Sequence, residues 1–353
     1  RFPIDPRRGR VAGVERSASL RGATTAMEIA GPVATSLEAP VDAAEATTST
    51  CDSQATPFRH LKEIGPGFWN LRGSFKLARG LVDVGNHMSF LRLGNGSLLV
   101  VDALASYSSK PEVAAEVQRE VNTLTEHGQR IEAVVFSHPF HTGGIPIFHR
   151  TYPSVPMYGA PRHLNKFPDL PWKGVLTDEA VRLLWEPAVS MKIPEGTEFV
   201  NPKPEASNHL STCLVFHRES HTLHADDFFQ FLDHIWDRMG KTAWAVCRAC
   251  GVRDGQLLFH TSLLDSGLNG SPESPKAFMV FVERMLCHWD FDNICTAHNA
   301  VLLGGARERV RELLERKRPA LHKLATKLAK TQCATVQETT HMWGNDDTET
   351  ECG

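Results

Sequence analysis

Long apolar runs are missing from this sequence. No window approaches the ~18 consecutive apolar residues that a membrane-spanning helix needs, so no such span is expected. A charge excess is also missing: 38 Lys and Arg face 41 Asp and Glu, for a formal net charge of −3. No basic stripe accompanies the aromatic residues, which argues against nucleic acid as a partner. Cysteine is present without a framework. Cys51, Cys213, Cys247, Cys250, Cys287, Cys295, Cys333 and Cys352 are scattered along 353 residues, unlike the dense spacing of small secreted domains. A reducing, intracellular compartment is therefore expected. The single C-x-x-C, Cys247 and Cys250 in "AWAVCRACG", lacks the second pair that a structural zinc site normally needs. Its ordinary reading is an apolar helix face with two free thiols; a redox or zinc role requires a third and fourth ligand nearby.

What is present is globular: 41% hydrophobic and 22% charged residues suffice for a sizeable core. Residues 1–56 are rich in Ala, Thr and Ser without an apolar period, and their start is rich in Arg and poor in acid. They read as a disordered or targeting segment, and localisation as cytoplasm or an organelle reached through a transit segment. Residues 331–353 read as a solvated acidic tail. Between them, 57–330 fits one large domain.

Strand and helix patterns alternate through that body. "MSFLRLGNGSLLVVDA" predicts two strands around Asn95-Gly96, a pair that tolerates positive φ. "SSKPEVAAEVQREVNTLTEHG" predicts an amphipathic helix with Ser108 or Ser109 as cap, Pro111 early and Gly128 as its stop. "RIEAVVFSH", "SVPMYGA" and "NICTAH" read as strands, and "TCLVFHRESHTLHADD" as two strands folded around Arg218–Ser220. "SPKAFMVFVERMLCHW", capped by Ser274, and "ARERVRELLERKR" read as helices. No internal repeat is found. The fold class is α/β, with two layers of strands.

The 17 histidines include several at the ends of these strands. His138 and His141 follow "AVVFS", Asp226 and Asp227 follow "HTLHA", His298 follows "NICTA", and His209 lies just before a strand. Any one alone is ordinarily a hydrogen-bonded histidine or a turn carboxylate. Together they are the imidazole and carboxylate set that zinc and iron prefer, placed where rigid sheets present binding groups.

In that order they resemble a divergent branch of the metallo-β-lactamase-like superfamily. That family has an αββα sandwich of two mixed sheets flanked by helices. Its opening strand ends in Asp, here Asp102 of "LLVVDA"; its signature His-x-His-x-Asp-His-x-Gly-Gly corresponds to "SHPFHTGG". The similarity covers about residues 65–318. The signature here is two residues shorter, in the form His-Pro-Phe-His, and lacks its Asp and one imidazole. The resemblance implies a first metal on His138, His141, His209 and Asp226. Asp226 and His298 alone are too few for a second, so one divalent metal is expected, zinc before iron. An alternative placement puts the metal on His141, Asp226 and His298, with His138 behind.

The implied activity is a mononuclear hydrolase using a metal-bound hydroxide on an ester, lactone or phosphoester. A small molecule is then the expected partner, with neither nucleic acid nor membrane. Asp226 and Asp227 are the candidate catalytic carboxylates; Asp227, His224 or His298 stands in for the missing signature Asp as orienter of water. Tyr158, Arg162, His163, Trp172 and Lys173 are candidates for lining a cleft. Asp233, His234 and Asp237 read as a solvated helix face. The competing reading is a relative that keeps the fold, has lost turnover, and serves in binding or interaction.

Overall fold

A computed structural model describes residues 58–77, 82–249 and 251–343, with side chains as far as 333. The segment read as disordered or targeting, together with Cys51, Cys250 and Cys352, lies outside the described residues.

The first half of the described chain builds one mixed sheet. Strands β1 (Lys62–Gly65) and β2 (Phe68–Gly73) are followed by a small hairpin, β3 (Lys76–Leu77) with β4 (Val82–Asp83). Next come β5 (Asn86–Arg92), β6 (Leu98–Val101), helix α1 (Pro111–Thr125) and β7 (Ile131–Phe136). Helix α2 (Ile145–Thr151), β8 (Met157–Gly159), α3 (Pro161–Lys166), β9 (Trp172–Val175) and the short α4 (Glu179–Arg182) complete this half. The sheet order is β1-β2-β5-β6-β7-β8-β9, antiparallel as far as β6 and parallel from β6 onward. The β5–β6 turn is the expected one: Gly96 has φ +84°, and Asn95 Oδ1 accepts from the Ser97 amide at 3.0 Å.

The second half builds the other sheet. It contains β10 (Val189–Lys192), β11 (Leu214–His217) and β12 (Thr222–Asp226). A hairpin of β13 (Phe229–Leu232) and β14 (Gln256–Phe259) encloses α5 (Ile235–Met239) and α6 (Lys241–Ala249). Helix α7 (Ser274–His288), β15 (Asn293–Thr296), β16 (Val301–Leu302) and α8 (Ala306–Trp343) follow. The order β10-β11-β12-β15-β16 is again mixed, β12 and β15 being the parallel pair.

Alternation along the strands assigns the layers. Leu99, Val101, Ala133 and Val135 of the first sheet share a core with Val189, Met191, Cys213, Val215 and Cys295 of the second. The intervening residues face outward: Leu98, Val100, Val134 and Phe136 pack on Val117, Val121 and Leu124 of α1 and on Phe148 of α2. Leu214, Phe216 and Leu223 do the same against Phe278 and Val282 of α7 and Leu313 and Leu314 of α8. Strands buried on both faces read as the near-continuous apolar runs seen in the sequence. The result is the expected αββα sandwich.

Local differences have local causes. Lys110, not Ser108 or Ser109, takes the cap position of α1, and its amide is satisfied by Ser108 Oγ at 3.1 Å. Ser274 is the first residue of α7 rather than its cap, with Oγ donating to the Ser271 carbonyl at 2.7 Å. Helix α8 runs past 330, where a polar tail is expected to begin, and ends at Trp343.

Candidate metal centre

Strands β7, β12 and β15 deliver polar side chains to one edge of the sandwich. His138 follows β7 by two residues and is fully buried. The Phe140 amide donates to its Nδ1 at 3.2 Å, so its Nε2–H donates to the His209 carbonyl at 3.1 Å. His163 of α3 holds the same turn from beneath, donating from Nε2 to the His138 carbonyl at 2.9 Å.

The other three imidazoles share one pattern. His141 Nδ1 donates to the Asp226 carboxylate at 3.2 Å, His209 Nε2 to the Glu205 carbonyl at 3.2 Å, and His298 Nδ1 to the Gly85 carbonyl at 2.5 Å. Each ring thereby turns its second nitrogen toward Asp227. The separations are 3.2 Å for His141 Nε2, 3.5 Å for His209 Nδ1 and 3.7 Å for His298 Nε2; His138 Nε2 lies at 3.8 Å. Ligand atoms of His138, His141, His209 and Asp227 all fall within 4.8 Å of one another. His138 and Asp227 form a sealed floor, while His141, His209 and His298 are 22%, 29% and 27% exposed and leave a way in.

The electrostatics follow from this packing. Burial, then repulsion from His141, pushes His138 well below the usual imidazole pKa. Burial also opposes charge on His141, but Asp226 and Asp227 outweigh it and hold that imidazole well above its usual value. Both carboxylates titrate below the ordinary range despite burial: His141 is the main opposing influence at Asp226, His298 and then His141 at Asp227.

A second buried layer supports the first. Asp102 Oδ1 and Oδ2 accept from the Ser137 amide at 2.8 Å and from its hydroxyl at 2.7 Å, and Oδ2 also accepts from His224 Nε2 at 3.0 Å. Ser137 Oγ reaches Asp226 at 3.3 Å, and Ser89 Oγ lies 3.0 Å from His224 Nδ1. Burial disfavours charge on His224, yet Cys295 and Asp102 beside it bring its pKa up to about 10.

Two mixed sheets face to face, helices on both outer faces, and histidines with a carboxylate gathered at one strand edge decide the architecture. The fold is the αββα sandwich that the sequence resemblance implied. Similar solved structures include the DIM-1 metallo-β-lactamase exposed to ceftazidime, at 13% identity and TM-score 0.45 over 72% of this chain and 96% of that one. The FIM-1 metallo-β-lactamase of Pseudomonas aeruginosa in its mono-zinc form matches at 13% and 0.43, over 72% and 94%. A metallo-β-lactamase of Erythrobacter litoralis matches at 15% and 0.44, over 74% and 99%. No family model matches the chain, and no curated protein matches it by sequence.

Within this sandwich the expected residues converge, with one exchange. Asp227, not Asp226, sits among the imidazoles; Asp226 faces the buried layer and orients His141. The cause is a bulge in β12, where Ala225 is an extra residue between the pairs His224–Cys295 and Asp226–Thr296. Asp226 then adopts φ +46°, and its Oδ1 accepts the Asp227 amide at 2.6 Å. His298 lies beside the four converging groups rather than among them.

The proposed cleft residues separate. Trp172 packs edge-on to Phe136 and donates to the Phe167 carbonyl, and Tyr158 packs on Trp185, so these aromatics anchor loops. Arg162 covers the Phe140 ring at 4.7 Å and pairs twice with Glu205, at 3.0 and 2.9 Å, bracing the segment that carries His209. Asp233, His234 and Asp237 meet at the start of α5, where only Asp237 is helical, rather than along a helix face. Cys247 is buried among Val84, Ile235, Met239 and Ala243, and no candidate metal group among the described residues contains a cysteine. His60, Glu116 and Glu120 also cluster, but Glu120 is occupied by the amides of Arg59, His60 and Leu61. No helix among the described residues is long and apolar enough to cross a membrane. One nearby imidazole, His260 after β14, is absent from the sequence-derived set; it stacks on His209 with ring centroids 5.9 Å apart.

Proposed function

We propose that this chain is a hydrolase carrying one divalent metal, zinc or iron, on His141, His209 and Asp227, with His298 at its margin and His138 behind, holding the His209 carbonyl through its Nε2–H. The observation that carries the reading is the orientation of His141, His209 and His298. Each has one nitrogen tied to an acceptor and the other directed at Asp227. A metal-binding histidine characteristically donates its other N–H to a carboxylate or carbonyl, which fixes its tautomer. Three imidazoles and a carboxylate are also a donor set suited to zinc or iron and poor for calcium or magnesium.

Such a metal supplies acidity to water, lowering its pKa from about 15.7 toward about 7, and polarises an ester, lactone or phosphoester oxygen. The chain does the rest. Asp226 fixes the proton on His141 Nδ1 and keeps Nε2 available. Asp227 neutralises charge at the floor, and the buried Asp102–Ser137–His224 layer keeps Asp226 in place. His298, partly exposed and anchored at Nδ1, offers Nε2 to a proton arriving at the mouth.

Elemental analysis of purified protein tests the reading: one equivalent of metal is expected in the wild type, with a large loss in His138→Ala and His209→Ala. Negligible metal in all three ends it. A panel of esters, lactones and phosphodiesters then tests turnover, and a flat response from metal-loaded protein favours a binding role.

A further inference from the structure

The loop after β14 brings His260 against His209, and its hydrogen bonds settle which nitrogen carries the proton. The Ser262 amide donates to His260 Nδ1 at 3.2 Å, and Ser262 Oγ lies 2.8 Å from the same nitrogen. An amide N–H donates only, so Nδ1 is an acceptor and the ring is the Nε2–H tautomer. Nε2–H has no hydrogen-bond acceptor among the described residues. The half-buried ring stacks at 26° to His209, within electrostatic reach of Asp227, His209, His298 and His141. Yet its nitrogens are not among those that converge as candidate ligands. It is thus a fixed, neutral donor without an acceptor, beside the metal centre rather than in it.

We propose that His260 is the donor this site presents to an oxygen of its substrate, the carbonyl or phosphoryl oxygen on which negative charge develops. The inference rests on the hydrolase reading above and adds a binding residue to it. A neutral N–H held by its own turn needs no reorganisation as that charge grows, the property that makes such donors effective. It also favours substrates with an oxygen acceptor next to the scissile bond.

The two nitrogens can be separated by substitution. H260N keeps an acceptor near the Nδ1 position, so the turn at Thr261–Leu264 stays capped, but it ends short of Nε2. H260Q returns an N–H near Nε2. Inorganic phosphate serves as the oxyanion probe, with its binding to zinc-loaded full-length protein followed by calorimetry alongside metal content and melting temperature. H260N is expected to hold the same metal as wild type, melt within about 2 °C of it, and bind phosphate at least about tenfold more weakly, the scale of one lost charge-assisted hydrogen bond. H260Q is expected to recover most of that loss. Unchanged phosphate binding in H260N, or metal-loaded wild type that binds no phosphate, overturns the inference and leaves the metal reading intact. Metal lost from H260N alone also overturns it, by making His260 a ligand. Wild type that takes up no metal overturns the hydrolase reading, and this inference with it.

Discussion

A methyl group on Gly144 would lie 2.1 Å from the Ala103 carbonyl oxygen and 2.5 Å from its carbon, whereas one on Gly143 would only touch Ala105 at 3.4 Å. The two glycines of the His-Pro-Phe-His loop therefore differ in kind. Gly144→Ala forces the loop away from the β6 exit and is expected to cost about 1–3 kcal/mol and weaken metal retention. Gly143→Ala is expected to stay within about 0.5 kcal/mol, as exposed substitutions usually do. Melting curves of the two variants check this; equal losses contradict the close-approach argument. At this scale the sequence exposes residue types better than their aim. His138, His141, His209 and His298 are legible because each flanks an apolar strand. The choice between Asp226 and Asp227 is not, because the Ala225 bulge shifts side-chain alternation by one residue and a bulge leaves no mark in "LHADD". His260 meets the same strand-end criterion, directly after "QLLF".

At the scale of elements, the β5–β6 hairpin, α1 and the strand pair β11–β12 follow from turn residues and apolar period. The break between α5 and α6 falls at Gly240, and the extension of α8 crosses a segment whose polarity says nothing of helicity. Among the described residues, Leu321 is the most C-terminal fully buried residue of the α7–α8 core. Leu321→Ala is expected to cost about 2–5 kcal/mol, against less than about 0.5 for exposed Lys323→Ala; denaturant midpoints with unchanged m-values check it. Strand β11 carries an acid-sensitive group. Burial depresses the pKa of His217 below the usual 6.5, while its ring donates to the Arg92 carbonyl at 2.9 Å. Below pH 6.5 the unfolded chain binds the proton and the folded chain resists it. The stability tied to a neutral His217 is therefore complete above that pH and lost as pH falls. His217→Gln lacks this loss, so its stability gap to wild type is expected to narrow between pH 7.5 and 5.5. A gap that widens on acidification contradicts the assignment.

At the scale of the described domain, the centre ties both sheets together. His138 comes from the first, Asp227 and His298 from the second, and His209 from the segment entering β11. A metal held there binds the folded chain and not the unfolded one, which stabilises it by about 2.7 kcal/mol at a hundredfold excess over Kd. For a domain of this size that corresponds to roughly 5–8 °C in Tm. A chelator is expected to lower Tm by that amount and added zinc to restore it; an unchanged Tm argues that the groups meet without binding a cation. The fold class was legible from strand composition, since strands buried on both faces leave continuous apolar runs. Packing order was not, because it depends on contacts between residues as distant as Ser137 and Asp226.

The most direct test is metal stoichiometry in Asp226→Asn and Asp227→Asn beside wild type, titrated with zinc at one pH. One equivalent is expected in wild type and in Asp226→Asn, the latter about 10- to 100-fold weaker because it loses only the group that orients His141. None is expected in Asp227→Asn. A full equivalent retained by Asp227→Asn, or none taken up by wild type, would contradict a metal centre built around Asp227.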